Sequence, residues 1–197
     1  DVTNGLAGPW VRTILQDHSG HLWFATINNG ASCYDGQTWT SFSTNDGLIS
    51  NQLLAMSLDR DGRIWFGTRD GVSRFDGQNW LSYTTADGLA DNRVTNAFQD
   101  RDGQMWFATF GGGVSRFDGE EWTTYTSADG LAANEVRHVL QDRDGQMWFA
   151  THWGVSRFDG EEWTTFTTAD GLADDRVFST FQAKDGALWF SGTEGAT

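Results

Sequence analysis

The sequence is poor in the residues on which several protein classes depend. Cysteine occurs once, as Cys33, and proline occurs once, as Pro9, in 197 residues. A single cysteine excludes an intrachain disulfide and a cysteine-based metal site. No apolar run approaches the length of about 18 residues that a membrane-spanning helix needs, so we expect no membrane insertion.

Basic residues are also scarce, with 13 Lys and Arg against 27 Asp and Glu, for a net charge of −14. No stripe of basic residues accompanies the aromatic ones, which argues against nucleic acid and anionic membranes as partners. Many of the acidic residues are aspartates in Asp-Gly pairs, which are typical of tight turns. The negative charge therefore follows largely from the residues that the turns require and from solubility.

Tryptophan, by contrast, is abundant and evenly spaced. Two registers with a spacing of 41 or 42 residues contain nine of the eleven tryptophans, namely Trp23, Trp65, Trp106, Trp148 and Trp189, and then Trp39, Trp80, Trp122 and Trp163. The string QDRDGQMWFATHWGVSRFDGEEWTT at 141–165 is nearly repeated at 99–124. A period near 41 predicts a tandem array of structural units.

The sequence pattern of each unit predicts four short strands joined by tight turns. In the unit that begins at Asp129, the predicted strands are Val136–Gln141, Met147–Thr151, Val155–Phe158 and Trp163–Thr167. Four-stranded antiparallel units of about 40 residues are typical of a β-propeller. We therefore predict an all-β fold, a single β-propeller domain over 1–197, with units 1–45, 46–86, 87–128, 129–169 and a partial unit 170–197.

The incomplete fifth unit, which has two clear strands and ends after Glu194 and Gly195, leaves three interpretations open. The chain forms a five-bladed ring with a short last blade, or it is part of a longer array, or two chains complete each other's open edge. The third interpretation predicts self-association through the incomplete fifth blade.

The repeated residues resemble the two-component regulator propeller repeat family, on the pattern D-G-L, V, Q-D-x-D-G-x-x-W-F-x-T-x-x-G-V-S-R-F-D-G at 129–160. The resemblance extends over essentially the whole chain. It implies a β-propeller that serves as the extracytoplasmic sensor part of bacterial receptors, and hence a periplasmic or extracellular location. The chain carries no kinase or DNA-binding segment of such receptors.

Differences between the units indicate where a site would lie. The turns between strands one and two, and between three and four, keep the same glycines and are interpreted as scaffold. The other two connections vary and emerge together at one end of a propeller. They supply the predicted ligand-binding residues, which are Trp10, Arg93, Glu135, His152, Trp153 and Arg176.

Two other interpretations of these residues remain open. Trp10 and Trp153 could plug the mouth of the propeller or pack on one another. Glu135, His138 and His152 belong to one unit and could form a metal site or an acid–base pair, as in propeller lyases. The Asp-x-Asp-Gly turns offer too few oxygens for calcium, and their first Asp is expected to accept hydrogen bonds within its own turn.

We therefore predict a non-catalytic binding module with no cofactor and no metal, which recognises a glycan or a peptide on this rim. The alternatives are a lyase or hydrolase that uses the His and Glu group, and a repeat scaffold without a ligand.

Overall fold

A computed structural model describes residues 2–197 and shows five antiparallel sheets, one for each repeat unit, which we call blades one to five. Blade one contains β1 (Val11–Gln16), β2 (Leu22–Thr26), β3 (Ala31–Tyr34) and β4 (Trp39–Phe42). Blade two contains β5 (Leu53–Leu58), β6 (Ile64–Thr68), β7 (Val72–Phe75) and β8 (Trp80–Tyr83). Blade three contains β9 (Val94–Gln99), β10 (Met105–Thr109), β11 (Val114–Phe117) and β12 (Trp122–Tyr125).

Blade four contains β13 (Val136–Gln141), β14 (Met147–Thr151), β15 (Gly154–Phe158) and β16 (Trp163–Phe166). Blade five contains β17 (Val177–Gln182), β18 (Leu188–Gly192) and the short β19 (Gly195–Ala196). Single 3-10 turns lie at Val2–Asn4, Thr44–Asp46, Thr85–Asp87 and Thr168–Asp170. The all-β prediction, with four-stranded blades and an incomplete last blade, is confirmed.

The turn between the first two strands of a blade is organised by one buried aspartate. In blade three, Asp100 Oδ1 accepts hydrogen bonds from the backbone N–H groups of Asp102 and Gln104, each at 2.9 Å. Its Oδ2 accepts the indole N–H of Trp106 at 2.7 Å. The first Asp of the repeated turn therefore accepts hydrogen bonds within its own turn, as predicted, and its bond to Trp106 also ties the turn to the core.

Aromatic rings fill the space between neighbouring blades. Trp106 of blade three contacts Phe149 of blade four, with ring centroids 5.6 Å apart. Tyr125 of blade three contacts Phe158 and Trp163 of blade four at 5.4 and 5.6 Å. The two tryptophan registers thus contribute to each interface among blades one to four, which accounts for the spacing of about 41 residues.

This packing joins the five blades in series. The inner strands contact one another in the order β1, β5, β9, β13 and β17. At the two ends of the series, Ile14 of β1 is 60% exposed and Phe181 of β17 is 62% exposed. These side chains lie on faces that the interior blades cover, so the extensive packing stops at blades one and five.

The predicted strand bounds are close to the observed ones. In blade four the third strand begins one residue earlier, at Gly154, and the fourth ends one residue earlier, at Phe166, because Thr167 caps the following 3-10 turn. Blade five gains the short third strand β19. Within residues 2–197, no helix has the length and hydrophobicity to span a lipid bilayer.

Candidate functional site

The two variable connections of each blade meet at one end of the molecule, which we call the rim. A backbone hydrogen bond joins them in each complete blade, such as His152 N to Glu135 O at 3.1 Å and Ile27 N to Trp10 O at 3.0 Å. The rim therefore carries both Trp10 and Trp153, as the strand order predicted.

Blade four forms a groove on the rim. Glu135, His152 and Trp153 line it together with the Ser127 and Ala132–Asn134 segment, around a volume of about 320 Å³. Trp153 is 64% exposed, and its ring meets the His152 ring edge to face with centroids 5.2 Å apart. His152 Nδ1 lies 3.6 Å from Glu135 Oε2. The groove therefore presents one exposed indole beside a carboxylate and an imidazole.

A second cavity, of about 270 Å³, lies at the centre of the blades, and we call it the central cavity. Its charged lining consists of three arginines, Arg12, Arg93 and Arg137, and no acidic side chain lines it. Two phenylalanines complete it: the Arg93 guanidinium lies 3.6 Å from the Phe110 ring centroid, and that of Arg137 lies 5.5 Å from the Phe178 ring centroid. A positive cavity is thus built into a chain whose net charge is −14.

One ion pair joins the groove to the central cavity. Glu135 lines the groove and pairs with Arg137, which lines the central cavity. Among the described residues, the Nε atoms of Arg93 and Arg137 are buried and have no hydrogen-bond partner. Both guanidinium groups are therefore held by aromatic rings and retain hydrogen-bonding capacity.

The predicted site residues are distributed over these features. Glu135, His152 and Trp153 share the groove, and Arg93 lines the central cavity. The Arg176 guanidinium lies 5.9 Å from the Phe178 ring centroid, on the blade-five side.

Trp10 lies apart on blade one and is 69% exposed. Over residues 2–197, no ring contact joins it to Trp153, whose recorded ring contact is with His152. The two indoles therefore do not pack on one another.

His138 is separated from Glu135 and His152, the other two residues of the alternative metal or acid–base group. Its Nδ1 lies 2.9 Å from Thr180 Oγ1 in blade five, and burial lowers the pKa of this imidazole. Glu135 and His152 remain together on the rim. In the described part of the chain, no group of three or more His, Cys, Asp and Glu residues has an arrangement that could hold a metal ion.

A further cavity lies at the opposite end, between blades one and two, with a volume of about 570 Å³. Its lining includes Trp23, Cys33 and Asp35. Burial raises the pKa of the Cys33 thiol to about 11, and the carboxylates of Asp17 and Asp35 act in the same direction. The thiol is therefore protonated at neutral pH, as expected for a buried cysteine rather than a nucleophile.

The sequence alone did not identify Phe110 and Phe178 as the ring partners of Arg93 and Arg137. Phe110 was visible as a variable loop residue. Phe178 was visible as the aromatic member of a position that holds Arg12, Leu54, Thr95 and Arg137 in the other blades.

Comparison with solved structures places this geometry among larger propellers. The extracellular domain of the hybrid two component system BT3049 from B. thetaiotaomicron superposes with a TM-score of 0.85 at 21% identity, over 94% of this chain and 27% of that one. The extracellular domain of the one component system BT4673 from the same organism gives 0.80 at 20% identity, over 100% and 29%. Virginiamycin B lyase from Staphylococcus aureus gives 0.73 at 19% identity, over 98% and 71%.

The chain thus spans less than a third of the first two extracellular domains. No curated protein sequence matches it. The sequence pattern described as two component regulator propeller matches four segments, 5–28, 47–70, 88–111 and 130–153, one in each complete blade. With this repeat in every complete blade and the fold of the extracellular propeller domains, the chain belongs to the two-component regulator propeller family.

Proposed function

We propose that the chain is a non-catalytic binding module that recognises an extended ligand, a glycan or a peptide, on the rim, and that it works outside the cytoplasm as part of a sensor. The chain belongs to the two-component regulator propeller family, and its fold is shared with extracellular domains of a two component and a one component system. The observation that carries the proposal is the Glu135–Arg137 pair, because it places the groove and the central cavity side by side.

The chemistry of this surface defines the ligand further. An exposed indole such as Trp153 offers a flat apolar face on which a sugar ring or an apolar side chain packs. The arginines of the central cavity bind carboxylate, sulfate or phosphate groups through paired N–H donors. The ligand therefore carries an acidic group that enters the central cavity, while its body lies along the groove.

The test is binding to arrays of glycans and peptides that include acidic and neutral members. We expect the wild type to select acidic members, and the Trp10→Ala/Trp153→Ala double variant to lose at least tenfold in affinity for them. Arg93→Gln is expected to reduce the preference for acidic over neutral members. Equal binding by the wild type and the double variant removes the rim as the site.

Trp189→Ala is the matched control. Trp189 is an exposed tryptophan like Trp10 and Trp153, with 50% of its surface accessible, but it lies on blade five and lines neither the groove nor the central cavity. Its removal takes away the same side chain without touching the rim. We expect it to bind as the wild type does.

A further inference from the structure

One position distinguishes the interface between blades one and two from the interfaces that follow it. In blades two, three and four an arginine stands directly across from the buried tryptophan: Arg74 from Trp65, Arg116 from Trp106, and Arg157 from Trp148. In blade one, Cys33 stands across from Trp23. The short thiol replaces a long cationic side chain.

The arginines have a defined place in the blade. The Arg74 guanidinium lies 5.5 Å from the Trp65 ring centroid, and that of Arg116 lies 5.8 Å from the Trp106 ring centroid. Backbone hydrogen bonds from Asn79 and Gln78 lower the pKa of Asp76, and the charge of Arg74 adds to this effect. Backbone hydrogen bonds from Glu121 and Glu120 lower the pKa of Asp118, and the charge of Arg116 adds to it in the same way. The repeat thus places a guanidinium near an indole ring and within electrostatic reach of a carboxylate.

Blade one keeps the indole and the carboxylate without the guanidinium. Asp35 is the counterpart of Asp76 and Asp118, and hydrogen bonds from Thr38 and Gln37 lower its pKa to about 2. It is therefore ionised at neutral pH. Trp23 and Asp35 line the same cavity, and no arginine or lysine lines it.

The space left by the missing side chain is large. The cavity beside Cys33 measures about 570 Å³, whereas the corresponding cavities beside Arg74 and Arg116 measure about 90 and 180 Å³. Phe42 and Phe75 add two further rings to its wall. Small-molecule sites commonly occupy about 300 to 1,000 Å³.

The lining also favours a positive ligand. Asp17, Asp61 and Asp76 contribute three more carboxylates. Asp17 is paired with His21 and Asp61 with Arg63, and His18 also lines the cavity. A cation that enters beside Trp23 gains both the ring face and the charge of Asp35, which no arginine or lysine of the lining neutralises. The planar guanidinium is the group that blades two, three and four hold at this place.

From this substitution we infer that the cavity between blades one and two binds a ligand bearing a guanidinium group, which takes the place that arginine occupies in the next blades. The inference concerns the end of the molecule opposite the rim. It therefore stands or falls independently of ligand binding at the rim.

The test uses N-acetylarginine amide as the probe, with N-acetylcitrulline amide as its uncharged isostere, at pH 8 where free histidine is neutral. Binding is followed by calorimetry and by the indole N–H signal of Trp23 in ¹H–¹⁵N spectra. We expect saturable binding of the arginine compound with a shift of the Trp23 signal, and at least tenfold weaker binding of the citrulline compound. Equal binding of both compounds, or no binding, overturns the inference.

Substitutions at this position are expected to remove the proposed site, to keep it, or to create a second one. Cys33→Arg fills the cavity and is expected to abolish binding and raise the melting temperature. Cys33→Ser keeps the cavity open and is expected to bind as the wild type does. Arg116→Cys recreates the same arrangement beside Trp106 and Asp118, so we expect this variant to bind two ligand molecules per chain. Unchanged binding by Cys33→Arg would contradict the inference.

An additional binding experiment identifies whether the guanidinium belongs to a protein or to a small molecule. An uncharged flexible peptide with one central arginine is compared with N-acetylarginine amide. Comparable affinity supports an arginine side chain of a protein, and binding of the small compound alone supports a small molecule. Either result requires the Trp23 shift.

Discussion

The buried carboxylate of Asp100 accepts a hydrogen bond of 2.7 Å from the indole nitrogen of Trp106, six residues along the chain. The same bond joins Asp17 to Trp23, Asp59 to Trp65 and Asp142 to Trp148. In blade five, Ala183 stands at the aspartate position and Trp189 is 50% exposed. The bond thus accompanies a tryptophan that is packed between two blades.

Replacement of this carboxylate is predicted to destabilise the fold. Asp100→Ala leaves three donors without their acceptor, one of them the buried indole N–H, and we expect a loss of about 3 kcal/mol in the free energy of unfolding. Urea denaturation measures it. Asp102→Ala, which removes an exposed carboxylate from the same turn, is the control and is expected to change stability by less than about 0.5 kcal/mol; equal losses would show that the buried hydrogen bonds contribute little.

Two tryptophans of one register are predicted to differ in their energetic role. Trp106→Ala removes a ring that is packed between blades three and four, and we expect a cost of about 4 kcal/mol. Trp189→Ala removes the equivalent ring from the uncovered face of blade five, and we expect a cost below about 1 kcal/mol. Comparable costs in urea denaturation would indicate that the face of blade five is covered in solution.

A glycine at the rim is predicted to be required for two reasons. Gly113 has φ +90°, and an added Cβ would lie 2.1 Å from the carbonyl oxygen of Tyr125. Gly119 has φ +111° with nothing within 4 Å of such a Cβ. We expect Gly119→Ala to cost about 1 to 2 kcal/mol from backbone strain alone and Gly113→Ala to cost clearly more. Thermal unfolding of the two variants measures the difference. Equal melting temperatures would show that the clash with the Tyr125 carbonyl oxygen does not contribute to the cost at Gly113.

The turn aspartate Asp35 is predicted to make stability depend on pH below neutrality. Its pKa in the folded chain is about 2, against 3.8 for an unperturbed group, because Thr38 and Gln37 donate hydrogen bonds to the ionised form. A lowered folded-state pKa contributes stability above pH 3.8, and this contribution is lost as the pH falls towards 2. Carboxyl ¹³C NMR titration measures the pKa directly; a midpoint near 4 would refute the assigned hydrogen bonds.

The fold could be predicted largely from the sequence because the Trp spacing, the Asp-Gly turns and the alternating strands all report local geometry. The rim could be predicted in part, since the strand order places Trp10 and Trp153 at the same end. The central cavity could not, because it depends on how Arg93 and Arg137 turn towards Phe110 and Phe178 on other strands. The exposed ends at Ile14 and Phe181 depend on the curvature that accumulates over five blades.

The indole signals of the eleven tryptophans provide the most direct test of where the module binds its ligand. In a ¹H–¹⁵N titration with the tightest acidic ligand from the arrays, we predict that the indole N–H signal of Trp153 shifts. The signal of Trp10 shifts as well if the ligand extends to blade one, whereas the signals of Trp65, Trp106 and Trp189 do not change. A shift of Trp189 or of the buried signals, with Trp153 unchanged, would contradict recognition at the rim.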